Sequence, residues 1–210
     1  MKTPEREIHG GVKFRVDFLS AAVPADARLE ELKWWCAEFH RRNFAPPYGE
    51  FSQGNLSFRI RPGEDAFIVT GSQVGWKDSL SDDRFVTVHG CDMERGTVTA
   101  SGTRDPSSER LLHFAIYRAR KDVQAVFHGH SREILRCADR PADIPETAEK
   151  QPYGSIKLAQ GVLDVMGNAD FVIIRKHGFI SLGKSMEEAG RRAIEVHQRC
   201  LPAAEGKETP

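Results

Sequence analysis

The sequence predicts an α/β fold with a substantially antiparallel sheet, and three observations lead there. Four short strand-like pieces follow one another in the first half with turn residues between them. Helical periodicity concentrates in the second half, on either side of a few short apolar runs. A regular strand–helix–strand series, the mark of a parallel sheet, does not run through the chain. The 210 residues suit one domain, read as 1–210 with an extension over about 1–25 and a frayed tail over about 202–210.

In chain order, the first helix follows Asp26, with Leu29, Leu32, Cys36 and Phe39 on one face until Pro46-Pro47 stops it. Strands are predicted at Leu56–Ile60, Ala66–Thr70, Phe85–Val88 and Thr97–Ala100. Pro62-Gly63 and Glu94-Arg95-Gly96 are hairpin-type connections between them. A helix follows Pro106-Ser107-Ser108, burying Leu112, Ala115, Ile116 and Ala119. Val123–His130 reads as a strand, Ile156–Met166 as a helix and Phe171–Ile174 as a strand, with a second extended piece through Ile180. Ser185-x-x-Glu188 is a capping box, and Met186, Ala189, Ala193, Val196 and Cys200 continue at helical spacing.

Hydrophobic residues at 40% and charged residues at 29% support a packed core and exclude wholesale disorder. Thirty basic side chains balance thirty acidic ones, so there is no broad electrostatic footprint for nucleic acid or an anionic membrane. No apolar run reaches the roughly 18 residues that span a bilayer, and the charged start leads into no signal-like stretch. Cys36, Cys91, Cys137 and Cys200 are scattered without a Cys-x-x-Cys pair, which argues against a disulfide framework and a cysteine zinc knuckle. A cytoplasmic protein is expected.

Chemistry centres on His128-Gly129-His130. Residues two apart on a strand share a face, so both imidazoles project together, with Val123, Ala125 and Phe127 expected on the other face. Two such rings are half of a site for zinc or another divalent ion. His177, at a strand end in Lys176-His177-Gly178, supplies a third imidazole and leaves a coordination position open, as catalytic sites need. Glu109 falls in the first turn of the helix after the two serines, where it serves the helix dipole, a metal or a proton. His113 lies one turn beyond it. The helix start at Ser107 and Ser108 is a natural phosphate seat. Ser52-Gln-Gly-Asn55-Leu-Ser57 and Val69-Thr-Gly-Ser-Gln-Val-Gly75 match neither nucleotide-binding glycine pattern, but their turns offer backbone donors to an anion. The residues alone thus suggest a metal-dependent enzyme acting on a small phosphorylated substrate.

Taken in order, Gly54-Asn55-Leu56-Ser57, Pro106-Ser107-Ser108-Glu109, His128-Gly129-His130 and Lys176-His177-Gly178 resemble the class II aldolase/adducin family. The likeness runs from about the first helix to the last and includes Tyr153-Gly154-Ser155, Gly183 and Glu187-Glu188-Ala189. The resemblance implies a three-layer α/β/α fold, usually a homotetramer with active sites between subunits. It implies zinc held by His128, His130 and His177, with Glu109 as the acid–base residue. It implies phosphate binding at Gly54, Asn55, Thr70, Gly71, Ser107 and Ser108, and aldolase-type cleavage of a phosphorylated keto-sugar through an enediolate. Epimerisation or dehydration on the same scaffold, and an adducin-like binding module without chemistry, are the alternatives. The last would be marked by missing metal ligands, and all three histidines are present. The sequence departs from the aldolases at one point: Ile134 to Gln151 contains no tyrosine, where the resemblance implies a catalytic one, and Thr147 and Glu149 are the polar candidates nearby.

Overall fold

The computed structural model describes residues 14–137 and 144–201. Among these residues ten strands and five α-helices follow in the order β1 (Arg15–Ser20), α1 (Leu29–Arg41), β2 (Pro47–Tyr48), β3 (Phe51–Ser52), β4 (Asn55–Arg59), β5 (Phe67–Thr70), β6 (Phe85–Asp92), β7 (Thr97–Ser101), α2 (Arg110–Ala119), β8 (Ala125–Gly129), α3 (Arg132–Arg136), α4 (Ile156–Met166), β9 (Phe171–Ile174), β10 (Gly178–Gly183) and α5 (Met186–Arg199), with one 3-10 turn at Asp82–Arg84. Eight of the strands form one sheet, ordered β1-β7-β6-β5-β4-β8-β10-β9; β2 and β3 make a separate small hairpin. Every pairing in the large sheet is antiparallel except β1 with β7.

Side chains alternate across the sheet, and the alternation builds two cores. Leu56, Phe58, Ala125, Phe127 and Phe179 face one way, into a cluster with Leu32, Cys36 and Phe39 of α1, Ile134 of α3 and Ala193 of α5. Val69, Val126, Ile180 and Leu182 face the other way, against Leu112 and Ile116 of α2 and Leu158 and Val162 of α4. Helices therefore cover both faces, giving three α/β/α layers. Each fully buried Leu, Ile or Phe contributes roughly 1.5–3 kcal/mol, so the central strands β4, β8 and β10, buried at every position, are the most firmly held part of the sheet.

Several local expectations are refined by these bounds. Arg15–Ser20, within the segment read as an extension, adds a parallel edge strand; residues 1–13 and the tail over 202–210 lie outside the described residues. Asp26 does not cap α1 directly. Its carboxylate accepts the Arg28 N–H at 3.0 Å, and the helix starts one residue later. Val123 lies before β8 and packs with α2 and α4, on the opposite side from Ala125 and Phe127. Helix α2 starts at Arg110, which places Glu109 at its N-cap position instead of its first turn. Ser185 caps α5 through the Glu188 N–H at 3.1 Å, as the capping box requires.

Candidate metal centre and active site

Strand β8 lies between β4 and β10, so whatever its C-terminal end carries is flanked on both sides. His128 stands opposite Asn55 of β4 and Ile180 of β10. Its face is that of Val126, toward α2, because residues two apart on a strand share a side. His130 follows just past the strand end. His177 arrives from the β9–β10 hairpin, whose tight return puts Lys176 at φ 57°. Gly178 permits the close approach, since a Cβ there would come 2.4 Å from the Gly129 carbonyl oxygen and 3.1 Å from His128 Cε1.

The ring nitrogens of His128, His130 and His177 lie within 4.8 Å of one another. The His128 and His130 Nε2 atoms are 3.0 Å apart. His128 Nδ1 donates to the Phe179 carbonyl at 2.9 Å, which leaves its Nε2 as a bare lone pair aimed into the cluster. Burial holds His128 well below the ordinary imidazole range, with the neighbouring His177 adding to the effect. Burial, followed by His128 and His177, pushes His130 down to about 2. Three imidazoles whose ring nitrogens converge, one of them fully buried, are a donor set that zinc and other divalent first-row ions take, so these residues fit a metal.

Glu109 reaches the same spot from the start of α2. It is buried, with Oε2 3.0 Å from His128 Nε2 and Oε1 3.3 Å from His177 Nε2. Asn55 Nδ2 donates to Oε2 at 2.8 Å. Oε1 has no hydrogen-bond partner among the described residues; its approach to His177 Nε2 is the contact at 3.3 Å. A buried carboxylate oxygen without a donor is costly and marks a place where a ligand or a proton belongs.

The predicted phosphate residues occupy three segments tied to one another. Gly54 enters β4 at φ 74°, where a Cβ would come 2.9 Å from the His128 carbonyl oxygen. Asn55 has its side chain fully engaged, by Glu109 at one end and His113 Nε2 at 2.6 Å at the other. Thr70 Oγ1 accepts the Leu56 N–H at 3.4 Å, and the Thr70 carbonyl accepts the Ser107 N–H at 3.1 Å. Gly71 bridges Pro106, and Ser107 Oγ accepts the Glu109 N–H at 3.3 Å; Ser108 is exposed. Thr147 is buried as a connector, its Oγ1 accepting the Arg175 N–H at 3.0 Å, and Glu149 is exposed.

Sequence reasoning missed Lys77. Its Nζ is buried and donates to the Ser52 carbonyl at 3.2 Å, Ser52 Oγ at 2.6 Å and the Gln53 carbonyl at 3.0 Å. Burial lowers it to about 8, and it pins the turn that delivers Gly54 and Asn55. Nothing in a sequence marks a lysine as buried. His113 was signalled only by its helical spacing from Glu109.

Fold and site together define an α/β/α domain with a three-histidine cluster facing a buried carboxylate. The profile of the class II aldolase and adducin N-terminal domain matches residues 31–201, and the chain belongs to that family. It is 30% identical over 200 residues to a methylthioribulose-1-phosphate dehydratase of Leptospira interrogans, covering 78% of this chain and 77% of the relative. It is 28% identical over 163 residues to an L-fuculose phosphate aldolase of Methanocaldococcus jannaschii, covering 71% of this chain and 82% of the relative. Among solved structures, an L-fuculose 1-phosphate aldolase superposes with TM-score 0.69 over 85% of each chain at 22% identity, which establishes the shared fold. No helix among the described residues is long and apolar enough to cross a membrane.

Proposed function

We propose that the chain is a zinc-dependent lyase of the aldolase type, acting on a small phosphorylated keto-sugar. The observation that carries this reading is the buried Oε1 of Glu109, without a hydrogen bond among the described residues, set against three clustered histidines. His128, His130 and His177 would hold the ion, which when bound polarises a substrate carbonyl and the adjacent hydroxyl. The chain's own residues do the rest. Asn55 holds Oε2 by its amide, so the carboxylate presents Oε1. In cleavage a carbon–carbon bond breaks, the hydroxyl that becomes the aldehyde gives up its proton, and the ketose fragment takes one at carbon, so no net proton is consumed. Glu109 is the group placed to deliver that proton and, in the reverse direction, to remove it. Gly54, Asn55, Thr70, Gly71, Ser107 and Ser108 would seat the phosphate. Asn55 contributes its backbone, since its side chain is already committed. A held phosphate fixes which carbon meets Glu109.

A dehydratase on the same site is the second reading. It is favoured by the identity to methylthioribulose-1-phosphate dehydratase and by the lack of a tyrosine in Ile134–Gln151. Product analysis with ketose 1-phosphates and ketose 5-phosphates separates the two. An aldolase releases a two- or three-carbon fragment, whereas a dehydratase keeps the carbon skeleton and loses water. The working form is a cytoplasmic homo-oligomer, a tetramer, with sites completed between subunits. Light scattering that returned a 23.5 kDa particle would contradict the assembly.

A further inference from the structure

Behind Glu109 lies a chain of four buried polar side chains, Asn55, His113, Ser57 and Tyr117. Tyr117 OH is 2.8 Å from Ser57 Oγ, and Ser57 Oγ is 2.7 Å from His113 Nδ1. His113 Nε2 is 2.6 Å from Asn55 Oδ1, and Asn55 Nδ2 is 2.8 Å from Glu109 Oε2. Tyr117, Ser57 and His113 are wholly buried, and Asn55 and Glu109 nearly so. The members come from two elements, β4 and α2, with alternate residues Asn55 and Ser57 of the strand meeting Glu109, His113 and Tyr117 at four-residue spacing on the helix side.

The donors in this chain have one consistent order. A carboxylate only accepts, so Asn55 must turn its NH2 toward Glu109 and its carbonyl toward His113. His113 must then carry its proton on Nε2, and its bare Nδ1 accepts from the Ser57 hydroxyl. Ser57 in turn accepts from Tyr117. All four bonds donate toward Glu109, and bonds that point one way strengthen one another. A neutral ring is required for this order, and burial supplies it, lowering His113 to about 4.

We propose that His113 is the positioning residue for Glu109: its Nε2–H locks the Asn55 amide so that Oε2 is held and Oε1 alone is left to exchange protons. The proposal rests on Glu109 as the acid–base group. Without the imidazole donor the buried Asn55 carbonyl is left unsatisfied, so the amide is held at one end only and the carboxylate it carries can shift. A displacement on the scale of 1 Å costs a reaction about 10²-fold.

Two measurements test this. The first is the tautomer of His113 in the wild-type protein, read from long-range ¹⁵N–¹H correlations at pH 7 with the resonance assigned through His113→Gln. A proton on Nε2 is the expected result, and a proton on Nδ1 overturns the proposal. The second is the rate of solvent deuterium exchange into dihydroxyacetone phosphate by the metal-loaded enzyme. His113→Leu should lose about 10–100-fold in the saturating rate with the half-saturating concentration unchanged. His113→Gln, which restores a donor to Asn55, should stay within a few-fold of wild type. Equal losses in both variants, or a loss confined to half-saturation, overturn it. If His113→Leu does not fold, the tautomer and the glutamine variant still decide. A wild type that exchanges no deuterium would count against the proposed reaction instead, and the tautomer would still test the order of the chain.

Discussion

His128 and His130 differ sharply in what else they do, so removing each should give a different combination of metal loss and stability loss. His128 is fully buried, and its Nδ1 donates to the Phe179 carbonyl at 2.9 Å. In His128→Ala that carbonyl loses its donor and a ring-sized cavity opens between β4, β8 and β10. Adding a lost buried hydrogen bond to an unfilled cavity gives about 2–4 kcal/mol of destabilisation in metal-free protein. His130 lies beyond the strand end and is only half-buried, with its ring Nε2 3.0 Å from that of His128; its backbone N–H, which donates to the Phe44 carbonyl at 2.8 Å, is kept by any substitution but proline. His130→Ala should therefore cost under about 1 kcal/mol in the metal-free state. Both variants should lose metal alike, by more than the about 10–100-fold that an outer-shell partner costs. The assays are elemental analysis of purified protein and urea unfolding after chelation. Stoichiometric metal in the double variant would refute the assignment. Equal destabilisation by the two single variants would refute the derivation of their separate roles.

Two further outcomes follow from packing and from protonation. Gly178→Ala drives a methyl to 2.4 Å from the Gly129 carbonyl oxygen, so β10 must move away from the end of β8. Overpacking of this kind costs about 1–3 kcal/mol, and zinc affinity should fall with it although no ligand is changed; calorimetric zinc titration against unfolding midpoints checks both. Burial lowers His113 to about 4 from an ordinary 6.5, so the unfolded chain binds the extra proton first. The stability this ring protects is fully present above pH 6.5 and is lost as pH falls toward 4, by up to about 3 kcal/mol. Urea midpoints from pH 7 to 4.5 should show that slope in wild type and a shallower one in His113→Gln; parallel slopes would contradict it.

The histidine cluster was legible because a strand has period two. His128 and His130 had to share a face, and a glycine beside His177 announced a close approach. Helix α5 was equally plain, marked by a serine cap and an apolar stripe, and α4 spans the Ile156–Met166 that the sequence predicts. Strand β1 was hidden for the opposite reason. It is an edge strand exposed at most positions and pairs with β7, 82 residues away at the Arg15–Thr97 pair, so the short alternation of Phe14, Val16 and Phe18 with Arg15 and Asp17 did not reveal a partner. Helix α3, five residues long, offers no periodicity to read. The support behind Glu109 was out of reach because Asn55–Glu109, Ser57–His113 and Ser57–Tyr117 are pairs 54, 56 and 60 residues apart. Only the sheet order, which sets β4 beside β8 beneath α2, brings them together. The Val123 assignment failed because the strand starts two residues later than its apolar run.

The central claim is that Glu109 moves a proton at substrate carbon, and deuterium exchange into dihydroxyacetone phosphate measures that step without any choice of aldehyde. Wild-type protein loaded with zinc is compared by NMR in heavy water with Glu109→Gln loaded in the same way. The amide keeps the shape and can still accept from Asn55, but it cannot take up the proton. Exchange should fall by about 10²–10⁴-fold while zinc content and the folded spectrum stay as in wild type. Equal exchange by the two proteins would contradict the account, leaving Glu109 with no part in the proton transfer.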